Sequence, residues 1–112
     1  MGQAKKAIET DPAVGAHNVL VVGGDAWHRG VIGIAASKLV DTYHKPSIVL
    51  SIDGDVAHGS CRSIPDFDML GALERCADLF VKFGGHRQAA GLTMEAARVP
   101  EFRQRINSWA DE

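Results

Sequence analysis

Five histidines and two cysteines are present, yet none is spaced for a metal. His17, His28, His44, His58 and His86 show neither HxH nor HxxxH spacing, no carboxylate cluster accompanies them, and Cys61 and Cys76 form no CxxC pair. A metal centre built from this chain is therefore not expected. Other catalytic signatures are missing too: there is no GxSxG elbow, no Walker-type loop and no GxGxxG fingerprint. No apolar run approaches the roughly 20 residues that span a bilayer, so no membrane association is expected. With few cysteines and no secretory leader pattern, a reduced, cytoplasmic setting is the expectation.

Excess positive charge is also lacking. Twelve Lys and Arg against fourteen Asp and Glu give a net charge of -2, which argues against gripping nucleic acid by overall basicity. A local basic patch stays open, because Arg29, Arg62, Lys82 and Arg87 all lie close to glycines or histidines. What is present is ordinary globular material: 112 residues, 46% hydrophobic and 23% charged, sufficient for one domain with one core.

Along the chain, residues 3–9 suit a short helix, and "TDPAVGAHN" reads as a linker interrupted by Pro12 and Gly15. Residues 1–17 are thus expected to be the tail of a preceding part of a longer chain, with the domain proper over 18–112. "NVLVVGG" is a β-branched run closed by glycines, the pattern of a buried strand. "GVIGIAASKLVDTYH" spaces Ile32, Ala35, Ala36, Leu39, Val40 and Tyr43 for one helical face, and Lys45-Pro46 ends it. "SIVLSID" and "VAHGSCRS" flank Asp53-Gly54, a tight-hairpin signal. Asp68 is a candidate N-cap for a helix through "MLGALERCADLFVKF", with Met69, Leu73, Cys76, Ala77 and Phe80 as its buried stripe and Gly84 or Gly85 as its stop. "AAGLTME" is another strand, and Pro100 opens a last helix with Phe102, Ile106 and Trp109 on one face. The order β-α-β-β-α-β-α implies an α/β fold, a mixed sheet of four to five strands with helices packed on it.

Three stretches carry polar groups beside small residues. "GGDAWHRGVIG" delivers a strand into a glycine loop and a helix start, where free amides beside His28 and Arg29 would suit an anion. A plain strand-to-helix turn anchored by Trp27 explains it equally well. In "HGSCRS", strand alternation puts His58, Ser60 and Arg62 on one side, either a phosphate-holding surface or the solvated face of a half-exposed strand. In "FGGHRQAAG", one glycine would suffice as a helix stop. Two glycines let consecutive amides point at an anion beside His86 and Arg87, while Ala89, Ala90 and Gly91 keep bulk away.

Taken together and in this order, "WHRGVIGIAASKL", "GSCRS" and "FDMLGALERCADLFVKFGGHRQAAGLTM" resemble the DHH-associated domain of RecJ-type, single-strand-specific DNA exonucleases, over about residues 18–95. In that family a separate DHH domain binds manganese or magnesium, and the associated domain closes over the substrate and contacts its phosphates and sugars. The resemblance implies a nucleic-acid-binding role for His28 and Gly30 (the WHxG segment), for Ser60, Arg62 and Ser63 (the GSGRS strand), and for Gly84, Gly85, His86, Ala89, Ala90 and Gly91 (the GGHxxAAG loop). Cys61 stands where the family usually has glycine, and Arg87 falls at a variable position. The DHH signature itself is absent. The implied protein is then a single-stranded-DNA-binding domain with no catalytic residue and no cofactor of its own, partnered by the DHH domain of its parent chain. Two alternatives remain: the associated domain of an oligoribonuclease or cyclic-dinucleotide phosphodiesterase, or a non-catalytic interaction module using Trp27 or Trp109 as anchor. Phe83, where the phosphodiesterases carry a third glycine, favours the RecJ branch.

Overall fold

Alternation and β-branching decide the sheet. In the computed structural model, which describes residues 19–25 and 28–110, five strands form one sheet in the order β1-β2-β3-β5-β4. They are β1 (Leu20–Asp25), β2 (Ser47–Asp53), β3 (Val56–Arg62), β4 (Phe80–Gly85) and β5 (Ala89–Glu95). β1 pairs parallel with β2, and every other pairing is antiparallel. The helices are α1 (Arg29–Tyr43), α2 (Met69–Glu74) and α3 (Val99–Ala110), with short 3-10 turns at Ala77–Leu79 and Ala96–Arg98. The mixed sheet with helices packed on it is the expected α/β architecture. None of the helices among the described residues is long and apolar enough to cross a membrane. The expected helix over 3–9 and the expected anchor Trp27 lie outside the described residues, as does the side chain of Trp109.

The core has two compartments, one on each side of the sheet. α1 lays Ile32, Ala35, Ala36 and Leu39 over Leu20, Val22 and Val49. α2 and α3 seal the opposite side, where Met69, Leu73, Phe102 and Ile106 meet Ile48, Leu50, Cys61, Leu92 and Met94. The β2–β3 hairpin turns at Gly54, whose φ of 62° fits the Asp53-Gly54 signal. β1 is an edge strand, and α3 satisfies groups of that edge. The Asn107 amide donates to the Val19 carbonyl and accepts from the Val19 N–H, and the Arg103 guanidinium donates twice to the Val21 carbonyl.

One expected element is corrected. The helix beginning after Asp68 stops at Glu74 instead of running to Phe83, and residues 80–85 form β4, so the order is β-α-β-β-α-β-β-α. Asp68 does cap it, its carboxylate accepting from the Gly71 N–H at 3.1 Å. Met69 and Leu73 are buried as expected, but Ala77 is exposed and Phe80 lies in the strand. The physical reason comes from far along the chain. Arg105 of α3 donates to the Arg75 carbonyl at 3.2 Å and grips the Asp78 carboxylate at 2.9 and 3.0 Å, fixing the chain where it leaves α2. This grip also holds the Asp78 carboxyl below its ordinary value. Beyond it, the aromatic and β-branched FVKF favours an extended edge.

Candidate functional site

The face of the sheet that carries α1 is apolar only under the helix's inner residues. From β3 onward it is polar. Register sets Arg62 opposite Ser47, Ser60 opposite Val49 and His58 opposite Ser51, so all three share the α1 side, as alternation predicts. The same rows continue onto β5 as Ala89, Gly91 and Thr93, and onto β4 as Gly84 beside Gly91 and Lys82 beside Thr93.

Arg62 and Ser60 lie directly beneath the helix. A Cβ on Gly33 would stand 3.3 Å from both Arg62 Nη2 and Ser60 Oγ, so glycine at this position lets α1 come down onto these two side chains. The other arm of the guanidinium is anchored, Arg62 Nη1 donating to the Cys61 carbonyl at 2.8 Å. Arg62 is half-buried, held in place yet reachable. Gly30 lies about one helical turn before Gly33, about 5 Å along the axis, and is exposed.

That helix start caps itself. His28 is exposed and its Nδ1 accepts from the Gly30 N–H at 3.0 Å, while the His28 carbonyl takes Val31 N–H at 2.9 Å and Ile32 N–H at 3.2 Å. The amides expected to await an anion are therefore occupied by the protein. What the first turn offers instead is the imidazole, whose Nδ1 is an acceptor and whose Nε2–H is the free donor.

The double glycine is likewise a different device from the expected one. Gly84 and Gly85 lie in an extended strand, paired with Gly91 and Ala90, and the His86 amide donates to the Ala89 carbonyl at 2.7 Å. Gly85, with φ of 143°, is structurally obligatory, because a Cβ there would sit 2.5 Å from the Ala89 oxygen. The turn at 86–88 is stitched to the segment after β3: Ser63 N–H donates to the Gln88 carbonyl, Met69 N–H to the Arg87 carbonyl, and the Gln88 amide to the Ile64 carbonyl. These bonds place the exposed His86 at the same end of the sheet as Arg62.

Three of the expected site residues do not join this surface, Gly85 among them, since it pairs with the inward Ala90. Ser63 is buried, and its hydroxyl is directed at the Phe67 carbonyl at 2.7 Å and the Ile64 carbonyl at 3.2 Å. Ala90 points into the α2–α3 core. Ser60, Arg62, Gly84, Ala89 and Gly91 share the polar face, His86 stands at its end, and His28 and Gly30 form the exposed start of α1. Lys82, read in the sequence as helical, stands on this face as well; the alternation of Lys82 with the inward Phe83 is the signal that would have found it. Among the described residues no three His, Cys, Asp or Glu side chains converge where a metal could sit.

Comparison with known proteins agrees with this architecture. Residues 16–112 match the DHHA1 domain family. The chain is 48% identical over 94 residues to the single-stranded-DNA-specific exonuclease RecJ of Bacillus subtilis, covering 82% of this chain and 12% of that protein. Against RecJ of Escherichia coli it is 42% identical over 94 residues, covering 76% and 16%. A crystal structure of exonuclease RecJ bound to manganese superposes with a TM-score of 0.81 at 28% identity, covering 99% of this chain and 27% of that one. RecJ from Thermus thermophilus in complex with Mg2+ gives 0.79 at 29%, covering 98% and 17%. The chain thus spans less than a fifth of these curated relatives. With fold, order of motifs and sequence identity in agreement, it belongs to the DHHA1 domain family and carries the RecJ form of that domain.

Proposed function

We propose that this domain holds single-stranded DNA by its phosphates for a RecJ-like exonuclease, and that hydrolysis takes place on a metal-bearing DHH domain of the parent chain. The observation that carries this reading is the convergence of Arg62 and Ser60 beneath α1, where the helix comes down on both at Gly33. A guanidinium anchored on one arm presents its remaining donors in a fixed fork, which suits a phosphate's paired oxygens. Ser60 adds a hydroxyl donor, and His28 and His86 add imidazoles at the rim. None of these groups is a nucleophile or a metal ligand. Their contribution is to fix the strand so that the scissile bond meets the catalytic domain in one orientation, which is catalysis by positioning.

Contacts of this kind go to the backbone and carry no base sequence, as expected for an enzyme that degrades any single strand. The test is Arg62→Ala in the full-length protein. Its kcat/KM on single-stranded DNA is expected to fall about 100-fold, with the thermal midpoint unchanged. Arg62→Lys should recover part of the loss, since it restores charge without the fork. An Arg62→Ala enzyme as active as wild type would remove the reading.

A further inference from the structure

Beyond Arg62 and Ser60 the polar face contains a depression of about 320 Å³, bordered by Lys82, Phe83, Gly84, Gly91 and Thr93. Three rows cross β3, β5 and, in the last two, β4: Arg62 and Ala89; Ser60, Gly91 and Gly84; His58, Thr93 and Lys82. The glycine row therefore lies between the row of Arg62 and the row of Lys82. A cation stands on each side of a floor that has no side chains. One row further out, Glu95 opposes Val56, so the cationic path ends at Lys82.

Folding does not require that floor to be bare. A Cβ on Gly84 would meet nothing within 4 Å, and on Gly91 its nearest neighbour would be the Gly59 oxygen at 3.6 Å, an ordinary contact. Neither residue has positive φ, in contrast to Gly85. The clearance is open space above the sheet, next to an exposed lysine that has no ion-pair partner among the described residues. The volume lies at the lower end of the range for small-molecule sites, about 300–1,000 Å³, which suits one sugar–base unit rather than a larger ligand.

From this cavity, with Lys82 in its wall and Arg62 one row beyond the glycines, we infer that Lys82 binds a second phosphate further along the strand held at Arg62, with the intervening nucleotide lying over Gly84 and Gly91. The inference rests on the DNA-holding role proposed above. It assigns Lys82 as a residue that senses substrate length: a strand that ends at the Arg62 subsite gains nothing from it. Lysine suits the task, since a mobile point charge follows a backbone whose sugar puckers and bases vary.

The test uses the full-length protein and labelled, phosphorothioate-linked oligothymidylates of 2 to 12 nucleotides, titrated by fluorescence anisotropy at several salt concentrations. Lys82→Ala should bind the long strands roughly tenfold more weakly and the dinucleotide as wild type does. Its log-log salt slope on long strands should drop by about 0.7, the value of one single-strand phosphate contact. Lys82→Arg should keep that slope. Gly84→Val, which fills the floor without touching the fold, should keep the thermal midpoint and lose affinity for long strands only. Unchanged affinity and slope in Lys82→Ala at every length, alongside weakened binding in Arg62→Ala, would overturn the second subsite and leave the first. An equal loss at every length would also overturn it, placing Lys82 in the first subsite. Unchanged binding in both variants would remove the underlying role itself.

Discussion

The two sides of the sheet obey opposite rules although the same strands build both. On the α2–α3 side the inward positions are closed: Ala57 and Cys61 from β3, and Ala90, Leu92 and Met94 from β5, are buried against Met69, Leu73, Phe102 and Ile106. On the α1 side the apolar zone stops at β2, and the alternate residues of β3 and β5 are His58, Ser60, Arg62, Ala89, Gly91 and Thr93, all half-buried. Each strand is at once the wall of a core and the floor of the proposed site. Mutational effects should therefore separate by alternation along one strand, stability on one parity and substrate handling on the other.

The strongest challenge to that separation is Phe102→Ala. Phe102 is wholly buried on the closed side and meets the Phe80 ring edge-on at 5.2 Å, so its loss removes area, an aromatic contact and packing around β4. Destabilisation of about 3–5 kcal/mol is expected by urea denaturation. Arg62→Ala should stay within about 0.5 kcal/mol of wild type in the same measurement. If the two variants lost comparable stability, the division into core side and site side would fail.

A second, smaller effect sharpens the comparison within one dipeptide. Gly85→Ala places a Cβ 2.5 Å from both the Ala89 oxygen and the Ala90 Cα, at a φ that other residues avoid, whereas Gly84→Ala meets open space. The first should cost at least about 2 kcal/mol through strain and displaced backbone. The second should be nearly neutral by thermal or urea unfolding. Equal costs would mean that Gly84 is structural and that the floor beside Lys82 has no separate purpose.

These cases also show how much the sequence revealed. β1, β2, β3, β5, α1 and α3 were legible because β-branched runs, a helical stripe, Asp53-Gly54 and Pro100 act locally. The shared face of His58, Ser60 and Arg62 followed from a period of two. β4 was not legible, since Met69, Leu73, Cys76 and Phe80 fit a helical stripe, and what ends that helix is an arginine 30 residues beyond Arg75. The motif stretches name segments of which β3, β4 and β5 build one polar face, but not the side each residue takes. Ser63 and Ala90 belong to matching motifs and turn inward, because sidedness at a strand end depends on what packs there. Self-capping by His28 was equally hidden: spacing shows a helix start, but not which groups already occupy its amides.

Cys61 gives the most delicate test, because it lies between Ser60 and Arg62 in sequence yet faces the closed side. Burial pushes its thiol from 9.0 up to about 12, and the opposing pull of the Arg62 charge is the weaker effect. The folded state thus favours the protonated thiol, whereas the unfolded chain ionises above pH 9. The contribution is complete below pH 9 and is lost as pH rises from 9 to 12, at about 1.4 kcal/mol per pH unit. Urea unfolding of wild type and Cys61→Ala at pH 8 and pH 10.5 isolates it, since every other titrating group, including the raised Cys76 thiol, is common to both. Relative to Cys61→Ala, wild type should lose about 2 kcal/mol between the two pH values. A difference that does not change with pH would mean that water reaches Cys61, and that the side of β3 opposite the site is no drier than the site itself.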